Sequence, residues 1–194
     1  MKKISTFLAV LSFATLISCG GDDDSSSSSN CTTSIPFVQT GKSFTYSFAQ
    51  FGFNVGTIKF TYGNCNGDGF LVTRETFNPE GSLLQTATDL HKQEGDFLLS
   101  DSNNNDDYFA KIYKKNAQLG DTWSVTRPDG SVVTHEVISV NEVVTVPAGT
   151  FTCKVFKYST TTTINDSYVY WNDEVGNIKE DADGFFLLEL LSYN

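Results

Sequence analysis

Polar and hydrophobic residues alternate along much of the chain, and this alternation predicts β-strands. Residues Ser43–Phe48 alternate small polar residues with aromatic ones, and Thr57–Tyr62 repeat the pattern. A period of two places the aromatic side chains on one face of a half-buried strand. Longer runs of β-branched and aromatic residues occupy the second half of the chain, at Val132–Val146, Thr150–Thr163 and Ser167–Trp171.

Short clusters rich in Gly, Pro, Asn and Asp separate these runs. They occur at 66–69, 78–81, 94–96, 127–130, 147–149 and 181–184. Such residues accept a positive φ or preset the bend of a tight turn. The pattern therefore predicts an all-β fold: a single curved antiparallel sheet or partly closed barrel, with meander connections and little or no helix after the N-terminal segment.

Two segments fit more than one kind of element. In Ser82–Glu94 the apolar residues have helical spacing, but Gln85–Thr88 is typical of a strand, and Glu94–Asp96 is typical of a hairpin turn. Phe185–Tyr193 is apolar on both faces, which fits a central buried strand or a terminal helix. We predict a strand for both segments.

The first 18 residues have the organisation of a secretory signal peptide. Lys2 and Lys3 precede an apolar run, Phe7–Ile17, which is shorter than the roughly 20 residues of a membrane-spanning helix. The run leads into Leu16-Ile17-Ser18-Cys19, which resembles the bacterial lipobox. This resemblance implies that the Cys19 thiol receives a diacylglycerol, that the chain is cut before Cys19 and that the new amine is acylated. The alternative is an ordinary signal peptide with a chance cysteine.

Residues 19–33 are predicted to form a lipidated tether, and residues 34–194 a single β domain. Positions 20–30 carry no apolar side chain, so burial cannot offset the entropy of ordering them. A coil of this length spans roughly 16–20 Å. Gly20, where some bacterial lipoproteins have an Asp that retains them in the inner membrane, favours the outer membrane. Asp22, Asp23 and Asp24 resemble an acidic signal that exports lipoproteins to the cell surface; the alternative is a merely soluble linker.

Net charge limits the partners of the protein. Lys and Arg number 13 and Asp and Glu 23, which gives −10 at pH 7, and removal of residues 1–18 with their two lysines gives −12. Nucleic acids require basic patches, and so does docking on anionic lipid headgroups. We therefore expect no nucleic-acid partner, and contact with a membrane only through the N-terminal acyl chains.

The last part of the chain resembles a pattern found in bacterial envelope proteins. The sequence VTVPAGTFTCKVFKY (Val144–Tyr158) is preceded by LGDTWSV (Leu119–Val125) and followed by YVYWNDEVGNIKE (Tyr168–Glu180). Many families with this pattern are uncharacterised, and they are similar to the curved antiparallel sheet of LolA/LolB-type lipoprotein carriers. The resemblance implies that fold and no particular activity. Typical carriers also place helices in the concave face of the sheet, and this chain offers almost none.

Residues with catalytic chemistry are sparse. His91 and His135 belong to no metal-spaced cluster, and His135 shares a strand face with Val133 and Val137, which favours a packing role. The chain contains no Gly-x-Ser-x-Gly motif and no Gly-rich phosphate loop. We expect neither an enzyme nor a cofactor.

One acidic segment partly matches the calcium-binding loop of EF-hands. Asp101, Asn103 and Asn105 provide oxygen ligands at its first, third and fifth positions. However, Asp106 stands where the loop needs glycine, and Ile112 stands where it needs glutamate. A solvated loop is the favoured interpretation, and a weak calcium site is the alternative.

Three cysteines remain if Cys19 is lipidated. Cys153 lies between Phe151 and Val155 on the inner face of a predicted strand, where a thiol packs as a small hydrophobic group. Cys65 lies in a loop just after the second predicted strand. If the first two strands form a hairpin, this loop lies near the start of the first strand, towards which Cys31 leads. In an oxidising compartment we therefore predict a Cys31–Cys65 disulfide and a buried, free Cys153.

Two functions are compatible with these features. In the first, an outer-membrane, surface-exposed lipoprotein acts as a non-catalytic module that binds a protein or glycan, with Phe51, Phe53, Tyr168 and Trp171 as candidate exposed aromatic residues. In the second, the curved sheet carries a lipid or other hydrophobic ligand. A cavity of about 300–1,000 Å³ would favour the second. The sequence by itself favours the first.

Overall fold

The computed structural model describes residues 31–102, 104, 108–162 and 166–194. The described residues form twelve β-strands and no helix. The strands are β1 (Ser43–Gln50), β2 (Phe53–Asn66), β3 (Gly69–Phe77), β4 (Leu83–Glu94), β5 (Phe97–Asp101), β6 (Ala110–Lys114), β7 (Thr122–Thr126), β8 (Val132–Val146), β9 (Gly149–Thr160), β10 (Ser167–Asn172), β11 (Gly176–Asp181) and β12 (Phe186–Tyr193).

All twelve described strands belong to one antiparallel sheet. Their spatial order is β6-β5-β4-β3-β2-β1-β12-β11-β10-β9-β8-β7. The sheet is therefore two meanders joined where the first and last strands pair. This confirms the predicted all-β fold, and both ambiguous segments are strands, as β4 and β12.

The sheet curves until it is nearly closed. Register shifts interrupt the ladders β1–β2, β2–β3 and, twice, β8–β9. Such bulges bend a strand and increase its twist. The two edge strands, β6 and β7, consequently approach each other, and Trp123 Nε1 donates a hydrogen bond to the carbonyl of Lys111 at 3.2 Å. Side chains thus bridge the seam, by which we mean the boundary between β6 and β7.

Alternation along each strand decides which side chains point inward. On β8 the buried residues Val133, His135 and Val137 alternate with exposed ones. At one end of the sheet the inward side chains form a solid core around Tyr113 and Phe156, both 0% exposed. Among the described residues, no helix is long and apolar enough to cross a membrane.

The segment before β1 fills this end of the sheet. Ile35, Phe37 and Val38 are each at most 2% exposed. A disulfide joins Cys31 to Cys65 with a Cα–Cα distance of 5.6 Å, within the range that a bridge requires. The Thr33 hydroxyl also donates to Gln93 Oε1 at 2.9 Å, so residues assigned to the tether contact the sheet.

Candidate functional site

A cavity of about 700 Å³ lies inside the curved sheet. Every described strand contributes to its wall, through side chains that the alternation directs inward. Aromatic and aliphatic side chains form most of the wall, among them Phe44, Phe60, Val72, Ile112, Val169 and Leu188. A space of this size is within the range of small-molecule binding sites.

Phe37 forms the floor of the cavity. Its ring stacks on Trp171 at 5.8 Å and meets Tyr113 edge-on at 5.3 Å. Gly176 makes room for it, because a Cβ at that position would lie 3.1 Å from the Phe37 ring and its φ is +100°. The segment before β1, with a turn at Pro36-Phe37, thus closes this end of the sheet.

The opposite end of the cavity reaches the hairpin tips. Ser102, after β5, and Arg127, after β7, both line the cavity and are exposed. Cys31 and the β2–β3 turn lie at the floor end, because antiparallel hairpins alternate between the two ends of the sheet. The disulfide and the mouth of the cavity are therefore at opposite ends.

Two polar pairs form one wall of the cavity. Arg74 Nε and Nη2 donate to the buried carboxylate of Asp89 at 3.3 and 3.4 Å. The Tyr62 hydroxyl lies 2.9 Å from His91 Nδ1. Burial lowers the pKa of His91 to about 4, although the nearby Asp89 acts in the opposite direction. His91 is therefore uncharged at neutral pH.

His135 lies on the other wall, packed between two aromatic rings. Its ring stacks on Trp123 at 4.9 Å and meets Tyr158 edge-on at 4.2 Å. Burial, and secondarily the charge of Arg127, lower the pKa of His135 to about 3. The packing role expected from the sequence agrees with these contacts, and the imidazole also faces the cavity.

Glu180 is an acidic group in the same cavity. Its strand neighbours are Val169 on β10 and Leu188 on β12, and all three residues line the cavity. Burial raises the pKa of Glu180 to about 7. This residue combines an ionisable carboxyl group with an apolar surrounding wall.

None of the residues predicted for lipidation, export, the disulfide or calcium that the structure describes lines the cavity. Cys19 and Asp22–Asp24 lie outside the described residues, as do Asn103 and Asn105. Asp101 is buried at the end of β5, 3% exposed. The structure joins the two cysteines that were predicted to pair, and Cys153 is free and buried, with a pKa that burial raises to about 12. No cluster of His, Cys, Asp and Glu that could hold a metal is found among the described residues.

Two of the four candidate exposed aromatic residues are exposed in the structure. Phe51 and Phe53 are 65% and 74% exposed at the β1–β2 turn, and Phe51 contacts the exposed Phe185 edge-on at 5.1 Å. Trp171 was wrongly included, because it is 7% exposed and belongs to the core. Tyr168 is only half-buried.

Sequence reasoning did not identify Glu180, Arg74 or Asp89 as cavity residues. A signal for Glu180 was present, because it is in phase with the buried residues Gly176 and Ile178 on β11. A charged residue in phase with buried positions predicts a polar group inside the fold. The pairing of Arg74 with Asp89 depends on the β3–β4 register and has no local signal.

Two solved structures share the fold. A Bacteroides fragilis protein assigned as exported, with a YmcC-like fold, has a TM-score of 0.55 and 13% identity and covers 80% of this chain and 96% of its own. A Parabacteroides distasonis protein assigned as a lipoprotein has a TM-score of 0.51 and 17% identity and covers 85% of this chain and all of its own, 100%. No family model and no curated protein matches the sequence.

Proposed function

We propose that this protein is a non-catalytic lipoprotein of the bacterial envelope that holds a hydrophobic or amphipathic ligand inside its curved sheet. The cavity of about 700 Å³ carries this proposal. Its wall is mainly aromatic and aliphatic with a few polar groups, which is the usual composition of sites for small apolar ligands. The cavity favours the carrier function over the interaction module that the sequence by itself favoured.

The position of the disulfide supports an anchored arrangement. Cys31 lies at the floor end, so the tether that leads from the acyl chains proposed for Cys19 would join the domain at that end. The mouth would then point away from the anchor. The two proteins of similar fold are described as exported and as a lipoprotein, which supports an envelope location. Placement in the outer membrane and exposure on the cell surface are part of the proposal.

Exposed apolar side chains support interaction with a protein or glycan as a second candidate. Phe51, Phe53 and Phe185 are each more than half exposed, and all three lie in or directly beside turns at the mouth end of the sheet. Such a cluster would suit a partner with an apolar surface. This function needs no occupied cavity, so an occupancy experiment separates the two candidates.

The test compares two adjacent substitutions on β7. Val125 lines the cavity, whereas the neighbouring Thr126 is exposed on the other face. The full chain is purified in non-ionic detergent, and species distinct from detergent and from the N-terminal acyl groups are quantified by native mass spectrometry and solvent extraction. We expect a bound ligand in wild type and Thr126→Trp, and its loss in Val125→Trp.

Circular dichroism should show the same β content in all three proteins. A wild-type chain without any extractable ligand, or equal ligand content in both variants, would contradict the carrier function. The cluster of Phe51, Phe53 and Phe185 would then be the feature that directs the search for a function.

A further inference from the structure

The carboxyl group of Glu180 lacks a positively charged partner inside the cavity. Among the described residues, the ion pairs involve other acidic groups, and none includes Glu180. Its neighbours across the sheet, Val169 and Leu188, are apolar. A desolvated carboxylate without a partner is unfavourable, so this position requires either a proton or an external cation.

The tyrosines near Glu180 have their hydroxyl protons engaged elsewhere. Burial raises the pKa values of Tyr46 and Tyr158, and the negative charge of the nearby Glu180 makes a smaller contribution to both. The Tyr46 hydroxyl donates to the carbonyl of Asn177 at 2.9 Å, and that of Tyr158 donates to the carbonyl of Ile112 at 2.9 Å. Because a tyrosine hydroxyl has one proton, neither serves the carboxylate in this arrangement.

The other ionisable groups of the cavity do not supply a positive charge either. Arg74 is paired with Asp89. Burial lowers the pKa values of His91 and His135 to about 4 and about 3, which leaves both uncharged at neutral pH. Arg127 lies at the exposed rim. The charge left without compensation inside the cavity is thus negative.

A second hydrogen-bond acceptor in the cavity also lacks a donor from the described part of the chain. Asn177 also lines the cavity, and its buried Oδ1 has no hydrogen-bond donor among the described residues. The carboxylate of Glu180 and the amide oxygen of Asn177 are thus two acceptors on β11 to which a ligand inside the cavity could donate.

We propose that the cavity binds an amphipathic ligand whose polar end is an amine, with the ammonium group against Glu180 and the apolar part along the aromatic wall. This inference rests on the proposed carrier function and names the class of its ligand. An ammonium group supplies the positive charge that Glu180 lacks and N–H donors for its carboxylate.

The proposal has a pH signature. Burial raises the pKa of Glu180 to about 7, so the fraction of carboxylate increases as pH rises through neutrality. An ammonium ligand stays charged over this range, and its binding should strengthen with increasing pH. A ligand carboxylate that accepted a hydrogen bond from protonated Glu180 would show the opposite dependence.

The test uses three water-soluble probes that share a phenylbutyl group: phenylbutylammonium, phenylbutanol and phenylbutyrate. Each is titrated into the full chain in non-ionic micelles by isothermal titration calorimetry, with empty micelles as the blank. At about pH 8, wild type should bind the ammonium about tenfold more tightly than the alcohol, as expected of a charge-assisted contact. Towards about pH 5.5 this advantage should shrink to less than about threefold.

Glu180→Gln should remove the advantage of the ammonium, so that its affinity comes within about threefold of the affinity for the alcohol at both pH values. The matched control is Glu189→Gln, on β12, where Glu189 is out of phase with Leu188 and Leu190 and does not line the cavity. It should behave as wild type. The pH dependence in wild type tests the inference without relying on any variant.

The outcomes separate this inference from the carrier function. Tightest binding of phenylbutyrate, or an ammonium advantage that survives Glu180→Gln, would overturn the amine assignment while leaving the cavity as a binding site. If none of the three probes binds and Val125→Trp changes nothing, the carrier function fails together with the inference.

Discussion

Removal of the Cys31–Cys65 disulfide should destabilise the protein by about 3–4 kcal/mol. The perturbation is Cys31→Ala combined with Cys65→Ala, so that no lone thiol remains in this pair. The bridged residues are 34 positions apart. The chain-entropy relation for a loop of that length gives about 3.8 kcal/mol at 25 °C, and residual structure in the unfolded chain lowers this value.

The assay is equilibrium unfolding in urea, followed by the fluorescence of Trp123 and Trp171. With a slope of about 2 kcal/mol/M, the midpoint should fall by about 1.5–2 M, and the slope should rise because the unfolded chain becomes more expanded. Reductant should lower the wild-type midpoint by the same amount and leave the double variant unchanged. Equal midpoints for wild type and double variant in the absence of reductant would refute the reasoning.

Further predictions concern the anchor, an ionisable group and the backbone. An alkyne fatty acid should label wild-type cells but not Cys19→Ala, and equal labelling would reject lipidation. Protease added to intact cells should remove the wild-type domain but not a variant with alanines at Asp22–Asp24; unchanged accessibility would reject the acidic stretch as an export signal. Because burial lowers the pKa of His135 from 6.5 to about 3, the unfolded state binds more protons between these two pH values, and His135 alone should lower the free energy of unfolding by about 1.4 kcal/mol per pH unit as pH falls from about 6.5 to about 3. The contribution should be absent from His135→Gln in urea titrations, and parallel curves for the two proteins would contradict it. Gly56→Ala should cost more than about 1 kcal/mol, since φ is +132° and the added Cβ would overlap the carbonyl of Phe77. A thermal scan with an unchanged midpoint would exclude that overlap.

The strands were predictable because their signal is local. In β1 and β8 the alternation of side chains marks both the element and its buried face. In β4 the local preferences conflicted, and pairing with β3 from Phe70–His91 to Phe77–Leu83 fixes the strand. The choice between helix and strand in such a segment is made by neighbours that are distant in sequence.

The cavity was not predictable from the same patterns. Inward aromatic residues fill a core or line a cavity according to the curvature of the sheet, which depends on strand number and on bulges such as those in β8–β9. Trp171 illustrates the problem: its exposure depends on Phe37, which lies more than a hundred positions away in sequence. The disulfide pairing was predictable because it required only that the loop after one strand lie near the start of the neighbouring strand.

The seam between β6 and β7 has a consequence for self-association. An uncovered edge strand offers free backbone donors and acceptors to another molecule and promotes aggregation. Here side chains cover part of the β6 edge: the Trp123 indole and the Tyr158 hydroxyl donate to the carbonyls of Lys111 and Ile112. By bonding two carbonyls of β6 from the other side of the seam, these side chains should lower the tendency of that edge to pair with a second molecule and so help to keep the protein monodisperse at high concentration.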